Sequence, residues 1–157
     1  MSNPTLSRRA LIVSSAALFL LPALPSFALE PSINVAKDPT CPCCNDWVAI
    51  LEQAGFAVTV EEMDPDALQQ HKLAQGIPAE MQSCHTGIVE GYALEGHVPV
   101  ADIRRLLAER PDAVGLAVPG MPFGSPGMGP EESREAYEVF LVRKNGTTEV
   151  FSAYAAA

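Results

Sequence analysis

Three cysteines within four residues, Cys41, Cys43 and Cys44, most strongly limit what this chain can fold into. The residues before them, 32–36, alternate between polar and apolar side chains as a short strand does. The residues after them, 47–54, repeat apolar side chains at helical spacing. A Cys-x-x-Cys pair near a strand–helix–strand pattern is a cue for a thioredoxin-like fold.

The rest of the chain continues the alternation of strands and helices. The Asn145-Gly146 pair between two strand-like segments predicts a terminal hairpin. The other predicted elements are a strand over 56–60, a helix from Asp64-Pro65 toward 76, a strand or hairpin over 88–94 and a helix over 100–109. We therefore predict one α/β domain over residues 29–157, thioredoxin-like, with a central mixed sheet, flanking helices and a C-terminal β-hairpin.

Residues 1–28 have the pattern of an export signal. The pair Arg8-Arg9 precedes the apolar stretch Ala10–Leu21, whose 12 residues are too few for a membrane span of about 20. Small residues precede a cleavage point after Ala28. We predict a twin-arginine signal whose removal leaves a periplasmic protein with no membrane anchor.

The charge of the chain excludes two classes of partner. Residues 1–28 hold two arginines and no acidic residue, so their removal changes the formal charge from −9 to −11. Proteins that bind nucleic acids or anionic membrane surfaces need clustered Lys and Arg. We expect no nucleic-acid partner and no attachment to a membrane surface.

Structural disulfides are the first interpretation of the cysteines, because an exported domain with four of them is expected to be oxidised. Disulfide geometry is strained between the adjacent Cys43 and Cys44. Such a dense cluster is more typical of a functional site than of two structural crosslinks.

Thiol–disulfide exchange is the second interpretation, with Cys41 as the nucleophile and Cys44 as the resolving thiol. A helix N-terminus favours thiolate over thiol, so the motif is well placed for this chemistry. The third thiol, Cys43, argues against it because a neighbouring thiol invites disulfide scrambling.

A thiolate metal site is the third interpretation. Soft sulfur ligands select Cu(I) or Zn(II), and structural zinc sites normally use two separated Cys-x-x-Cys or Cys-x-x-His pairs. One dense cluster together with Cys84, which we expect to approach it, favours copper over zinc. His85, Met121 and Met128 are weaker ligand candidates, whereas His97 has the setting of a structural turn residue.

The segment Pro119–Pro130 is unusual because eight of its 12 residues are Gly or Pro. Such a composition excludes a helix or a central strand. The segment is either an ordinary surface loop or a stiff loop that shields a site.

Two specific motifs, Cys41-Pro42-Cys43-Cys44 and Ser83-Cys84-His85-Thr86, resemble those of the CopG-like periplasmic copper-resistance proteins. Further similar segments are Gly91-Tyr92, 95–99 and 115–122, so the resemblance extends over about 33–154. It implies a thioredoxin-like fold that binds copper through Cys41, Cys43, Cys44 and Cys84, with room for a multinuclear Cu(I)–thiolate cluster.

We therefore expect a periplasmic Cu(I)-binding protein of copper resistance or homeostasis. The resemblance suggests a copper redox or relay role, with copper ions and other periplasmic copper-handling proteins as partners. The alternative is a periplasmic thiol–disulfide oxidoreductase that uses Cys41 and Cys44. The residues leave open whether the protein is an enzyme, acting on copper or on thiols.

Overall fold

The computed structural model describes residues 31–157, so the predicted export signal lies outside the described residues. Within the described part, no helix is long and apolar enough to cross a membrane. The α-helices are α1 (Pro42–Gln53), α2 (Pro65–Ala74) and α3 (Val100–Glu109), and short 3-10 helices cover Ala79–Met81 and Glu131–Ser133. The strands are β1 (Ser32–Lys37), β2 (Ala57–Glu62), β3 (His85–Val89), β4 (Tyr92–Glu95), β5 (Gly115–Ala117), β6 (Tyr137–Val142) and β7 (Thr148–Tyr154).

The strands form a seven-stranded mixed sheet in the order β2-β1-β3-β4-β5-β6-β7. Strand β1 pairs parallel with β2 and antiparallel with β3, and β4 pairs parallel with β5. The other neighbours are antiparallel, and β6 and β7 form the C-terminal hairpin. The predicted α/β class with a mixed sheet is confirmed, and the strand–helix–strand unit followed by a hairpin and a helix is compatible with a thioredoxin-like fold.

Local sequence signals place most of these elements correctly. Helix α3 has the predicted bounds, and the Asp64 side chain caps α2 by accepting hydrogen bonds from the N–H groups of Asp66 and Ala67 at 3.1 and 3.0 Å. The segment predicted as a strand or hairpin is a hairpin. Sequence patterns do not predict strand β5, because three residues are too few to show a periodicity.

The helices cover both faces of the sheet. The ring of His85 in β3 packs on Trp47 of α1, with centroids 4.3 Å apart. The next residue, Thr86, accepts a hydrogen bond from Lys72 of α2 at 3.1 Å. Because successive strand residues face opposite sides of a sheet, α1 and α2 lie on opposite faces. The core on the α1 face also includes α3 and contains Ile33, Val35, Trp47, Leu51, Leu94, Ile103, Leu106 and Leu116.

The strand register brings three chain segments to one edge of the sheet. Lys37, the last residue of β1, pairs with His85, the first residue of β3. Glu95, the last residue of β4, pairs with Thr86. The cysteine motif after β1, Cys84 before β3 and the loop after β4 therefore meet at this edge.

Candidate metal centre

The cysteine motif forms the start of α1. Cys41 is the N-cap residue with extended backbone, and Pro42 occupies the first turn, where its missing N–H group costs no hydrogen bond. The Cys41 N–H group donates to the carbonyl oxygen of Asp38 at 3.2 Å. Cys43 and Cys44 therefore lie in the first turn of α1, where the backbone N–H groups have no partner within the helix.

The four cysteine sulfurs lie together. A disulfide joins Cys41 to Cys44, whose Cα atoms are 5.5 Å apart, while Cys43 and Cys84 are free thiols. The Sγ atoms of Cys41 and Cys43 are 3.4 Å apart. All four Sγ atoms lie within 4.8 Å of one another. The expected approach of Cys84 to the motif, 40 residues earlier in the chain, is thus present in the structure.

Two imidazoles add nitrogen donors beside Cys84. Its Sγ atom lies 3.2 Å from Nδ1 of His85 and 3.2 Å from Nε2 of His97. These three side chains form a second group whose donor atoms all lie within 4.8 Å. Nδ1 of His97 lies 2.8 Å from the carbonyl oxygen of Pro126. Because a carbonyl oxygen can only accept a hydrogen bond, Nδ1 carries the proton and donates it. In the neutral ring, Nε2 therefore has a free lone pair, which faces Cys84.

Sequence reasoning missed His97, because a position between a glycine and a proline resembles a structural turn. The structure instead buries His97 completely and places it at the site. The available signal is indirect: His97 follows the strand that pairs with the strand after Cys84.

Burial favours the uncharged forms of Cys84, His85 and His97. Burial, and to a lesser extent the nearby Cys43 sulfur, raises the pKa of the Cys84 thiol to about 12. Burial also holds the pKa of His85 well below 6.5, with help from the positive charges that His97 and Lys72 can carry, and it lowers the pKa of His97. Neutral imidazoles are ready to coordinate a metal, whereas Cys84 has to lose its proton when a metal binds.

The Pro119–Pro130 loop packs against this site. The Ser83 hydroxyl donates to the carbonyl oxygen of Gly120, and the Pro126 carbonyl accepts from His97. Gly127 has a φ of +85°, and a Cβ atom there would lie 2.8 Å from the backbone nitrogen of Trp47. Only glycine allows so close an approach of the loop to α1.

The two methionine candidates lie in this loop. Met121 is 55% exposed, while Met128 is half-buried and directly follows Gly127. The structure therefore brings the four cysteines, His85 and His97 together, and it leaves Met121 at the surface.

One family model matches part of this chain. This model, described as a protein of unknown function, DUF411, matches residues 81–128, which include Cys84, His85 and His97. A search of curated proteins finds no match.

Two solved structures are similar to the described fold. The one titled "Copper resistance protein copG- Form 2" has a TM-score of 0.73 and 45% identity, and the match covers 80% of this chain and 98% of that chain. The one titled "Copper resistance protein copG- Form 1" has a TM-score of 0.74 and 44% identity, and the match covers 81% of this chain and 100% of that chain.

Proposed function

The chain belongs to the family of the copper resistance protein CopG, and on this premise we propose that it binds Cu(I) through the thiolates of Cys41, Cys43, Cys44 and Cys84. The observation that carries the proposal is the convergence of four Sγ atoms within 4.8 Å. Soft thiolate ligands suit Cu(I), and sulfurs this close can bridge more than one ion. Zn(II) suits the site less well, because structural zinc sites normally draw on separated ligand pairs.

The donor set fits copper in a further respect. His85 and His97 place imidazole nitrogens 3.2 Å from the Cys84 sulfur, and imidazole is also a common copper ligand. The Pro126 carbonyl orients His97 through its other nitrogen, which is how ligating imidazoles are usually held.

The oxidation state of the cysteines determines how many sulfur atoms can bind copper. The Cys41–Cys44 disulfide has to accept two electrons from an external reductant, such as a reduced dithiol, before its two sulfurs can act as thiolate ligands. The oxidised chain still presents Cys43, Cys84 and the two imidazoles. We therefore propose that the full thiolate site forms only in the reduced protein.

We further propose that residues 1–28 direct export to the periplasm and that the domain there, residues 29–157, serves copper resistance or homeostasis. The support is the Arg8-Arg9 pattern together with the names of the similar structures. In this role, the protein would exchange copper ions with other periplasmic copper-handling proteins. A redox step on the copper ion is a further part of this proposal.

A second candidate function is thiol–disulfide exchange by Cys41 and Cys44. The specific observation in its favour is the disulfide between these residues at the N-terminus of α1. Cys41 is half-buried and Cys44 is fully buried, so only the former is open to attack by a substrate thiol.

Anaerobic titration of the chain with Cu(I), before and after reduction, tests the first proposal. We expect the reduced chain to bind at least one Cu(I) ion tightly, to bind more than the oxidised chain does, and to prefer Cu(I) to Zn(II). An insulin-reduction assay on the same sample tests the second candidate. Weak, substoichiometric copper binding together with rapid insulin reduction would contradict the copper proposal.

A further inference from the structure

A buried ion pair lies directly behind the segment that carries Cys84 and His85. Lys72 of α2 is 3% exposed and Glu95 of β4 is fully buried. The Lys72 ammonium donates to Oε1 of Glu95 at 2.6 Å. A buried ion pair typically adds little to the free energy of unfolding compared with apolar residues of similar size. We therefore expect this pair to have a role other than stabilising the fold.

The hydrogen bonds of the Glu95 carboxylate indicate that role. Its Oε1 atom accepts from the backbone N–H of Ser83 at 2.7 Å, and its Oε2 atom accepts from the hydroxyl of Thr86 at 2.6 Å. One carboxylate thus holds both ends of the four-residue segment Ser83–Thr86. The two residues between these ends, Cys84 and His85, contribute one sulfur donor and one imidazole donor to the site.

We propose that Glu95 is a positioning residue of the metal site: it holds the Ser83–Thr86 segment at both ends and so fixes the directions of the Cys84 and His85 side chains, while Lys72 balances its charge. This inference rests on the proposed copper binding. Residues that hydrogen-bond to metal ligands and orient them typically lower the metal affinity about 10–100-fold when they are removed.

Two double variants separate positioning from general stability. In Lys72→Met/Glu95→Leu, the side-chain volumes are similar, but both hydrogen bonds between residue 95 and the segment are lost. The hydrogen bond from Lys72 to Thr86 is lost equally in both double variants, so their comparison isolates residue 95. In Lys72→Met/Glu95→Gln, the amide oxygen can accept from Ser83 and the amide nitrogen can donate to Thr86, so the segment stays held without any buried charge. Asp102→Asn is a matched control, because Asp102 is a buried carboxylate that accepts from Ser152 and Tyr154 on the C-terminal hairpin and lies outside the two groups of converging donors.

The measurement is the Cu(I) affinity of the reduced full chain, in competition with a chromophoric Cu(I) chelator, together with the Cu(I)–thiolate absorption band. We expect the Leu variant to lose about 10–100-fold in affinity and to change the band. We expect the Gln variant to rescue both and the Asp102→Asn control to match the unmodified chain. Equal affinities for the Leu and Gln variants, or an equal loss in the control, would overturn the proposal.

A second readout does not depend on copper. In a Cys43→Ser background with the Cys41–Cys44 disulfide intact, Cys84 is the free thiol, and its rate of alkylation by iodoacetamide reports how firmly it is held. We expect the Leu variant to react severalfold faster than the Gln variant. If the unmodified chain binds no Cu(I), the proposed function fails, and equal alkylation rates would then overturn the positioning role separately.

Discussion

The Nε2 atom of His97 lies 3.2 Å from the Sγ atom of Cys84, although the two residues are 13 positions apart in the chain. The hydrogen bond from the other ring nitrogen to Pro126 directs the free lone pair toward this sulfur. This contact connects the Gly- and Pro-rich loop to the cysteine cluster through a single imidazole.

Replacement of His97 tests whether this imidazole takes part in copper binding. We expect His97→Gln to weaken Cu(I) binding by the reduced chain by about tenfold or more, because a nitrogen donor and the contact to Pro126 are both lost. Competition with a Cu(I) chelator measures the change. His71→Gln is the control, since His71 lies on α2, outside the two groups of converging donors. Equal affinities for the two variants would contradict a role for His97.

Replacement of Cys43 separates the two candidate functions. We expect Cys43→Ser to lower the number of Cu(I) ions bound, because the site loses a free thiolate, and to leave the Cys41–Cys44 disulfide in place. Copper titration and insulin reduction by the same sample measure the two effects. Cys44→Ser is the comparison and should abolish insulin reduction. Undiminished copper binding by Cys43→Ser would remove this residue from the ligand set.

The close approach of the loop to α1 predicts a cost at Gly127. We expect Gly127→Ala to destabilise the fold by more than the roughly 1–2 kcal/mol of a left-handed alanine, because its Cβ would meet the Trp47 backbone. Gly146→Ala is a matched control, since Gly146 has a similar φ of +82° but nothing within 4 Å of an added Cβ. Urea unfolding measures both. The proposal of close packing fails if the two variants lose the same free energy of unfolding.

Stability is expected to fall at alkaline pH because of Tyr137 and Tyr154. Burial raises the pKa of Tyr137 to about 12, and burial together with the hydrogen bond to Asp102 raises the pKa of Tyr154 above the ordinary tyrosine value of 10.0. Above pH 10 the unfolded chain therefore loses phenolic protons that the folded chain keeps, which favours unfolding.

Thermal melts between about pH 9 and 12 test this prediction. Tyr154→Phe should cost about 1 kcal/mol at neutral pH, since one oxygen of Asp102 loses its donor, but it should lessen the alkaline loss of stability. An unchanged slope of melting temperature against pH in Tyr154→Phe would show that this tyrosine is not responsible.

Sequence alone predicted the order of the helices and of most strands, and it predicted the C-terminal hairpin. It also identified the cysteine motif as the candidate site. Helix α3 and the cap at Asp64 depend on side chains within a few residues of one another, so local patterns contain the information. The density of the cysteine motif likewise indicates a reactive or metal-binding site, because three thiols within four residues are a property of the sequence itself.

Strand β5, the position of His97 beside Cys84 and the Lys72–Glu95 pair became visible only in the tertiary structure. Lys72 and Glu95 are 23 residues apart, and in sequence each has the appearance of an ordinary surface charge. Their burial depends on the pairing of β3 with β4 and on the side of the sheet that α2 covers. The sequence by itself determined which donor atoms the chain can offer, through residue type and spacing. Only the tertiary structure decided which of them meet, because strand register and loop packing set distances between residues far apart in the chain.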